Sequence, residues 1–309
     1  MSPIDLASNV PAFSTAEWIG QGRTYPVDNS PFPELAAFHT AALAIPRHGS
    51  NFLPSPCLSI QQLLSLELPT TAATLVHRSA KQCFCPQPPT EDLSCLQTRR
   101  IPSKGFVNDA NKAFGQALLD GAQSFADPHY KGSPLPLWVV NFWTEMHKVL
   151  DARSVWEKTN HWLKANRDGT ARDVVIDQCH AHLDVLGWNA KTSVPGGVET
   201  TLEFAELLSD RMIHGTIIDT MVRNIADRVD HDETRSKEFE IAGLGFMHNI
   251  KQANSADDYE RKSPRYLCRL EEKLRSSKKK LLFPVHLPEE RHYDGFMIDY
   301  RAKEISYGE

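Results

Sequence analysis

Apolar residues recur at helical spacing through the middle of the chain and alternate at strand spacing only near its end. Phe106, Ala110, Ala113, Phe114, Ala117, Leu118 and Ala122 repeat at three and four, the mark of one buried helical face. A second helix is expected after Pro136, where the fixed φ of proline suits a first turn, with Val139, Phe142, Trp143, Met146, Val149 and Leu150 on one stripe. A third is expected from Ser154 to Asn166 and a fourth from Arg172 to Leu186, with Gly187 placed to end it. Tryptophans at such spacing, among them Trp156 and Trp162, read as core packing rather than as a ligand-stacking surface.

Beyond Gly196 the pattern is mixed. Thr200 to Leu208 is rich in apolar residues, and Ser209 and Asp210 stand where they would cap a helix whose Ile218, Val222, Ile225 and Val229 repeat at four, three and four. The segment from Glu238 to Ile250 fits neither period, while Pro264 to Lys280 predicts a helix with Leu267, Leu270 and Leu274 inward. Leu281 to Val285 predicts a buried strand. A hairpin follows, in which Phe296, Ile298 and Tyr300 alternate with Met297 and Asp299, Arg301-Ala302-Lys303 turn, and Ile305 and Tyr307 return. Such a hairpin brings His292 and Glu309 to the same open end. They are offset by roughly three residues, or about 10 Å along the strands, so the histidine must fold inward to meet the acid.

With 309 residues, 41% hydrophobic and 24% charged, the chain suffices for one or two domains plus tails. Sixteen of its twenty prolines fall at or before Pro136, so residues 1–103 are expected to form a largely disordered arm with short local helices such as Ser59 to Leu68. A helical region over 104–190 and a third region over 191–309 follow. The net charge of -5 gives no general attraction to nucleic acid or anionic lipid. The dense basic run Lys278-Lys279-Lys280 reads as the solvated last turn of a helix, so nucleic acid is not an expected partner. No export signal opens the sequence and no apolar run would span a bilayer. The expected location is therefore the nucleus or cytoplasm, with the six cysteines reduced.

Metal and cofactor chemistry find little support. Cys83-Phe84-Cys85, near Cys57 and Cys95, lacks a second pair at zinc-finger spacing. On a helix Cys179 and His182 are neighbours, but His180 faces away, leaving two ligands at most. His147, His161 and His214 read as surface or packing residues. The terminal hairpin offers another chemistry. An imidazole can take the proton of a thiol while a carboxylate fixes its tautomer, which makes His292 and Glu309 candidates for the base and acid of nucleophilic catalysis. His286, on a strand end, is a second candidate base with a structural role the better fit. Cys179 and Cys268 lie in helical segments without the turn that exposes a nucleophile at a helix N-terminus.

Phe283-Pro284-Val285-His286-Leu287-Pro288, then His292 with an aromatic neighbour, Ile298-Asp299-Tyr300 and Tyr307-Gly308-Glu309 together resemble the central hairpin of the ubiquitin-like-protein-specific proteases. These are SUMO-deconjugating cysteine peptidases of papain-like fold. The resemblance covers most of residues 104–309 and is strongest to divergent fungal versions, which carry a similar upstream helical segment. It implies an α+β chain in which a helical region precedes an incomplete papain-like domain. The implied activity is cleavage of peptide or isopeptide bonds after a SUMO-like modifier, and the implied partner is that modifier or its conjugates. By the same resemblance His292 is the general base, and Glu309 stands where the family has aspartate. Leu207-Leu208-Ser209-Asp210 resembles the family's Trp-Leu-(Asn/Ser)-Asp element, in which Asp210 would contact the modifier. Leu207 and Tyr293 replace the two tryptophans that roof the tunnel for the modifier's diglycine tail. In the family the nucleophilic cysteine and an oxyanion-hole glutamine follow the acid, and none follows Glu309, so the chain is expected to be inactive by itself. The alternative expectation is a non-catalytic module that binds a protein or a modifier.

Overall fold

The computed structural model describes residues 18–26, 33–73, 79–130, 132, 134–194, 197–209, 213–255, 265–276, 280–287 and 292–308. Helices and strands are mixed, and the chain divides into two compact units, Met1–Ser154 and Val155–Glu309. No described helix is long and apolar enough to cross a membrane.

The first unit holds α1 (Pro33–Leu43), α2 (Arg47–Ser50), α3 (Ile60–Ser65), α4 (Cys95–Thr98), α5 (Lys104–Leu119) and the start of α6 (Val139–Ala165). Three two-residue strands, β1 (Phe84–Cys85), β2 (Ser124–Phe125) and β3 (Leu135–Pro136), pair antiparallel in that order. A capping box starts α3: the Ser59 hydroxyl accepts the Gln62 N–H at 3.1 Å, and the Gln62 amide oxygen accepts the Ser59 N–H at 2.8 Å. At the other end of α3 the Arg153 guanidinium donates to the carbonyls of Leu64 and Leu66, a cation against the negative end of a helix. Phe84 meets Phe125 edge-on at 4.9 Å, and Phe125 meets Trp143 at 5.6 Å, forming the aromatic centre of this core. Two residues beyond Phe125, buried Asp127 meets half-buried His129, Nδ1 to Oδ1 3.6 Å, and neither ring nitrogen has a hydrogen-bond partner among the described residues.

The expected disordered arm over 1–103 does not hold for its described part. Leu35, Ile60, Leu63, Cys83, Leu96 and Ile101 are buried. Proline density misled because the prolines punctuate short elements: Pro33 opens α1 and Pro46 is the N-cap of α2. The two helices expected on either side of Ser154 are one continuous helix, α6. Its buried stripe runs unbroken through Val149, Ala152, Trp156, Thr159 and Leu163, at alternating steps of three and four, so Ser154 caps nothing. The division of contacts falls inside α6, between Ser154 and Val155.

The second unit continues with α7 (Arg172–Val185), the hairpin β4 (Lys191–Val194) and β5 (Gly197–Thr200), and a 3-10 turn at Glu203–Leu208. Then come α8 (Gly215–His231), α9 (Arg235–Glu238), β6 (Phe239–Ile241), α10 (Gly245–Asn254), α11 (Arg265–Ser276), β7 (Lys280–Leu287), β8 (His292–Asp299) and β9 (Glu304–Gly308). The last four strands form one sheet in the order β6-β7-β8-β9, with β6 parallel to β7 and the rest antiparallel. Alternation sorts its faces. Leu281, Phe283, Phe296 and Ile298 turn to a core that includes Phe246, Leu267, Leu270 and Leu274 of α10 and α11, with Phe246 and Phe283 4.6 Å apart. Ile241, Leu282 and Met297 turn the other way, toward Val222 and Ile225 of α8.

The ambiguous segment 238–250 resolves into β6, a tight turn and α10. Gly243 is required in that turn, since a β-carbon there would lie 2.5 Å from Asp219 Oδ1, the atom that accepts the Leu244 N–H at 3.2 Å. The cap of α8 also differs from expectation. The helix starts at Gly215 with His214 as N-cap, its ring nitrogen accepting the Thr216 N–H, while the Ser209 hydroxyl donates back to the Glu206 carbonyl. Asp210 and Lys278 to Lys279 lie outside the described residues.

Candidate active site

Three consecutive facts of the sheet place the histidine. β7 and β8 pair over eight residues, the last pair being Leu287 with His292, so the histidine heads an interior strand at the sheet's end. Strand alternation gives His292 the same face as Asp294, two residues on. Their side chains meet, with Nε2 3.1 Å from Asp294 Oδ1; the imidazole is 65% exposed and the carboxylate 24%. With Nε2 turned to this carboxylate, Nδ1 meets no partner among the described residues. Asp294 was not among the residues singled out from sequence. The signal was present in the alternation of a strand, which makes residues i and i+2 neighbours on one face.

Tyr293 points to the opposite face. It stacks on His286, its ladder partner, with ring centres 4.7 Å apart and planes at 28°. His286 is thus held as a packing partner of the tyrosine, on the face away from His292. The Tyr293 hydroxyl lies 3.6 Å from where a β-carbon would stand on Gly215, the first residue of α8. Along this face runs an apolar cavity of about 550 Å³, lined by Val222, Ile225, Leu282, Pro284, Tyr293 and Met297. Gly295 and Gly308 face each other across β8 and β9 and also line it; no atom stands within 4 Å of a β-carbon built on Gly295.

The other expected residues are placed less closely. Leu207 is half-buried in the 3-10 turn Glu203–Leu208, upstream of α8. Glu309 and Asp210 lie outside the described residues. The last described pair of the β8–β9 ladder is Gly295 with Gly308, and the register lies one residue from the ladder symmetric about Ala302, since Ile298 pairs with Ile305 rather than Ser306. Cys268 is exposed on α11, away from its buried stripe of Leu267, Leu270 and Leu274, and Cys179 is half-buried on α7. Among the described residues no three His, Cys, Asp or Glu side chains gather into a metal site. His147 is a packing residue whose Nε2 meets the Pro102 carbonyl at 2.9 Å.

Comparison with family models, curated proteins and solved structures gave no match to this chain.

Proposed function

We propose that this chain carries the histidine half of a thiol-peptidase site that receives the diglycine tail of a SUMO-like modifier, within a papain-like arrangement, and that by itself it binds the tail without cleaving it. One observation carries the reading. His292 heads an interior strand with a carboxylate 3.1 Å from one ring nitrogen and, among the described residues, no partner on the other, an arrangement suited to a base that takes a thiol proton. The next residue, Tyr293, opens onto an apolar trough whose paired glycines leave space for a backbone without side chains to lie flat. His292 and Glu309 would act on the thiol, Asp294 would hold the imidazole, and Leu207, Asp210 and Tyr293 would meet the modifier.

The test pairs binding with labelling. Purified chain is titrated with a SUMO-type modifier ending in diglycine, and separately incubated with the same modifier bearing a thiol-reactive C-terminus. Saturable binding that weakens about tenfold in Tyr293→Ala, with no covalent adduct, is the expected result. An adduct on any of the six cysteines that forms with the modifier-borne electrophile, does not form with the free electrophile at equal concentration, and is lost in His292→Ala would overturn the inactivity. Absence of binding at high micromolar modifier would remove the modifier altogether. The second reading, a non-catalytic binding module, rests on the same trough; it is favoured if binding persists unchanged in His292→Ala and with a modifier lacking its diglycine.

A further inference from the structure

A second cavity in the C-terminal unit has no part in the site above. It measures about 240 Å³ and lies among Trp156 of α6, Leu183 of α7, and Phe204 and Leu208 of the 3-10 turn, with Cys179 and His182 of α7 opening onto it. Two polar groups of its walls are already bonded elsewhere. The Trp156 indole N–H donates to the Trp188 carbonyl at 3.0 Å, and the Thr201 hydroxyl donates to the Gly187 carbonyl. A buried water needs about two to four polar partners, and these walls offer few. An apolar cavity of about 150 Å³ accepts benzene, so this one has room for a somewhat larger compact body.

Cys179 and His182 give the chamber its chemistry. They stand three residues apart on α7, which puts their β-carbons about 5–6 Å from each other on one helix face. An imidazole one turn from a thiol can serve as its base, and the thiolate is a soft nucleophile facing an apolar space. Among the described residues these two are not joined by a third metal-ligating side chain. We infer that this cavity captures compact apolar electrophiles of the α,β-unsaturated carbonyl class as thioethers on Cys179. His182 takes the thiol proton and the sulfur attacks the β-carbon, forming the S–C bond. The π pair of the C=C bond moves to the α-carbon as an enolate, and the imidazolium returns the proton there. No oxidant or further reactant is consumed, and the inference is independent of the peptidase reading.

The full chain is treated with 2-cyclohexen-1-one or with acrylamide, and adducts are mapped by peptide mass spectrometry, each rate being divided by that of free glutathione. Cys179 should prefer the cyclic enone by about tenfold or more and show saturation, because binding precedes bond formation. The exposed Cys57 and Cys268 serve as references and should show no preference. Cyclohexanone, the saturated ketone, should slow acrylamide labelling at Cys179 alone. Leu183→Trp, which fills the cavity, should abolish both the preference and the protection. His182→Gln should slow enone addition by about tenfold and flatten its pH–rate profile while leaving the half-saturating concentration unchanged. Equal preference at Cys179 and Cys57, or no protection by cyclohexanone in the unaltered chain, overturns the capture site. An unchanged pH–rate profile in His182→Gln overturns the assignment of the base.

Discussion

A half-buried histidine and a buried aspartate of the first unit respond to pH in opposite directions. His39 sits edge-on to Phe114 at 5.1 Å, and burial lowers its pKa below the ordinary 6.5. Folding therefore favours the neutral ring: its contribution is complete above 6.5 and is lost as pH falls through the folded value. Asp127 is the reverse. Burial is the largest influence and raises its carboxyl above the ordinary 3.8, against the opposing hydrogen bond from the His129 N–H, so stability is lost as pH rises through the raised value. Thermal melts of the native chain and two variants, followed from pH 4 to 8, separate them. His39→Phe should gain on the native protein as pH falls below the ordinary histidine value. Asp127→Asn keeps an oxygen for the His129 N–H and should gain as pH rises above the ordinary carboxylate range. Differences that stay constant across pH would refute both assignments.

At the scale of elements, close approaches decide which glycines are needed. Gly243→Ala drives a β-carbon against the Asp219 carboxylate and displaces the bond from Leu244 that fixes the turn between β6 and α10. Gly295→Ala adds a methyl to open space above β8. The first should cost about 1–3 kcal/mol and the second close to nothing in urea titrations, even though both lie beside strands of one sheet. Equal costs would mean that the turn yields. The same sheet shows how far patterns carry. The β8–β9 hairpin was legible from the alternation of Phe296, Ile298, Ile305 and Tyr307, but its register lies one residue from the ladder symmetric about Ala302, because Ile305 and Tyr307 are exposed and burial does not pin the returning strand. β6 was not legible, since three residues give no period and its pairing with β7 bridges about forty residues of chain. Ser154 read as a helix start because a hydroxyl can cap, but the stripe continuing to Trp156 outweighs that local option. At the site, His292 and Tyr293 were visible as residue types, whereas Asp294 became a partner only once the strand was known to begin at His292.

Each unit has its own hydrophobic centre among the described residues, and the division between them falls within α6. Phe114, Phe125, Phe142 and Trp143 belong to the first unit, and Phe246, Phe283 and the leucines of α11 to the second. Within α6, Val149 and Ala152 precede the division and Trp156 and Leu163 follow it, and all four are buried. Two cores of this kind predict unfolding in two steps rather than one. Leu63 and Phe283 are both buried, so Leu63→Ala should cost about 2–5 kcal/mol and Phe283→Ala about 3–5 kcal/mol, each in its own unit. Hydrogen-exchange mass spectrometry of the full chain reads the difference peptide by peptide. With Leu63→Ala, amides of α3, α5 and residues 139–153 should exchange faster while β7 and β8 are unchanged; Phe283→Ala should do the reverse and accelerate α10 and α11. α6 is then the decisive segment. If its two halves follow different variants, the boundary at Ser154 is a boundary of cooperativity inside a continuous helix. If either substitution accelerates all of α6 and both cores alike, the chain folds as one body, and the division of its contacts has no thermodynamic counterpart.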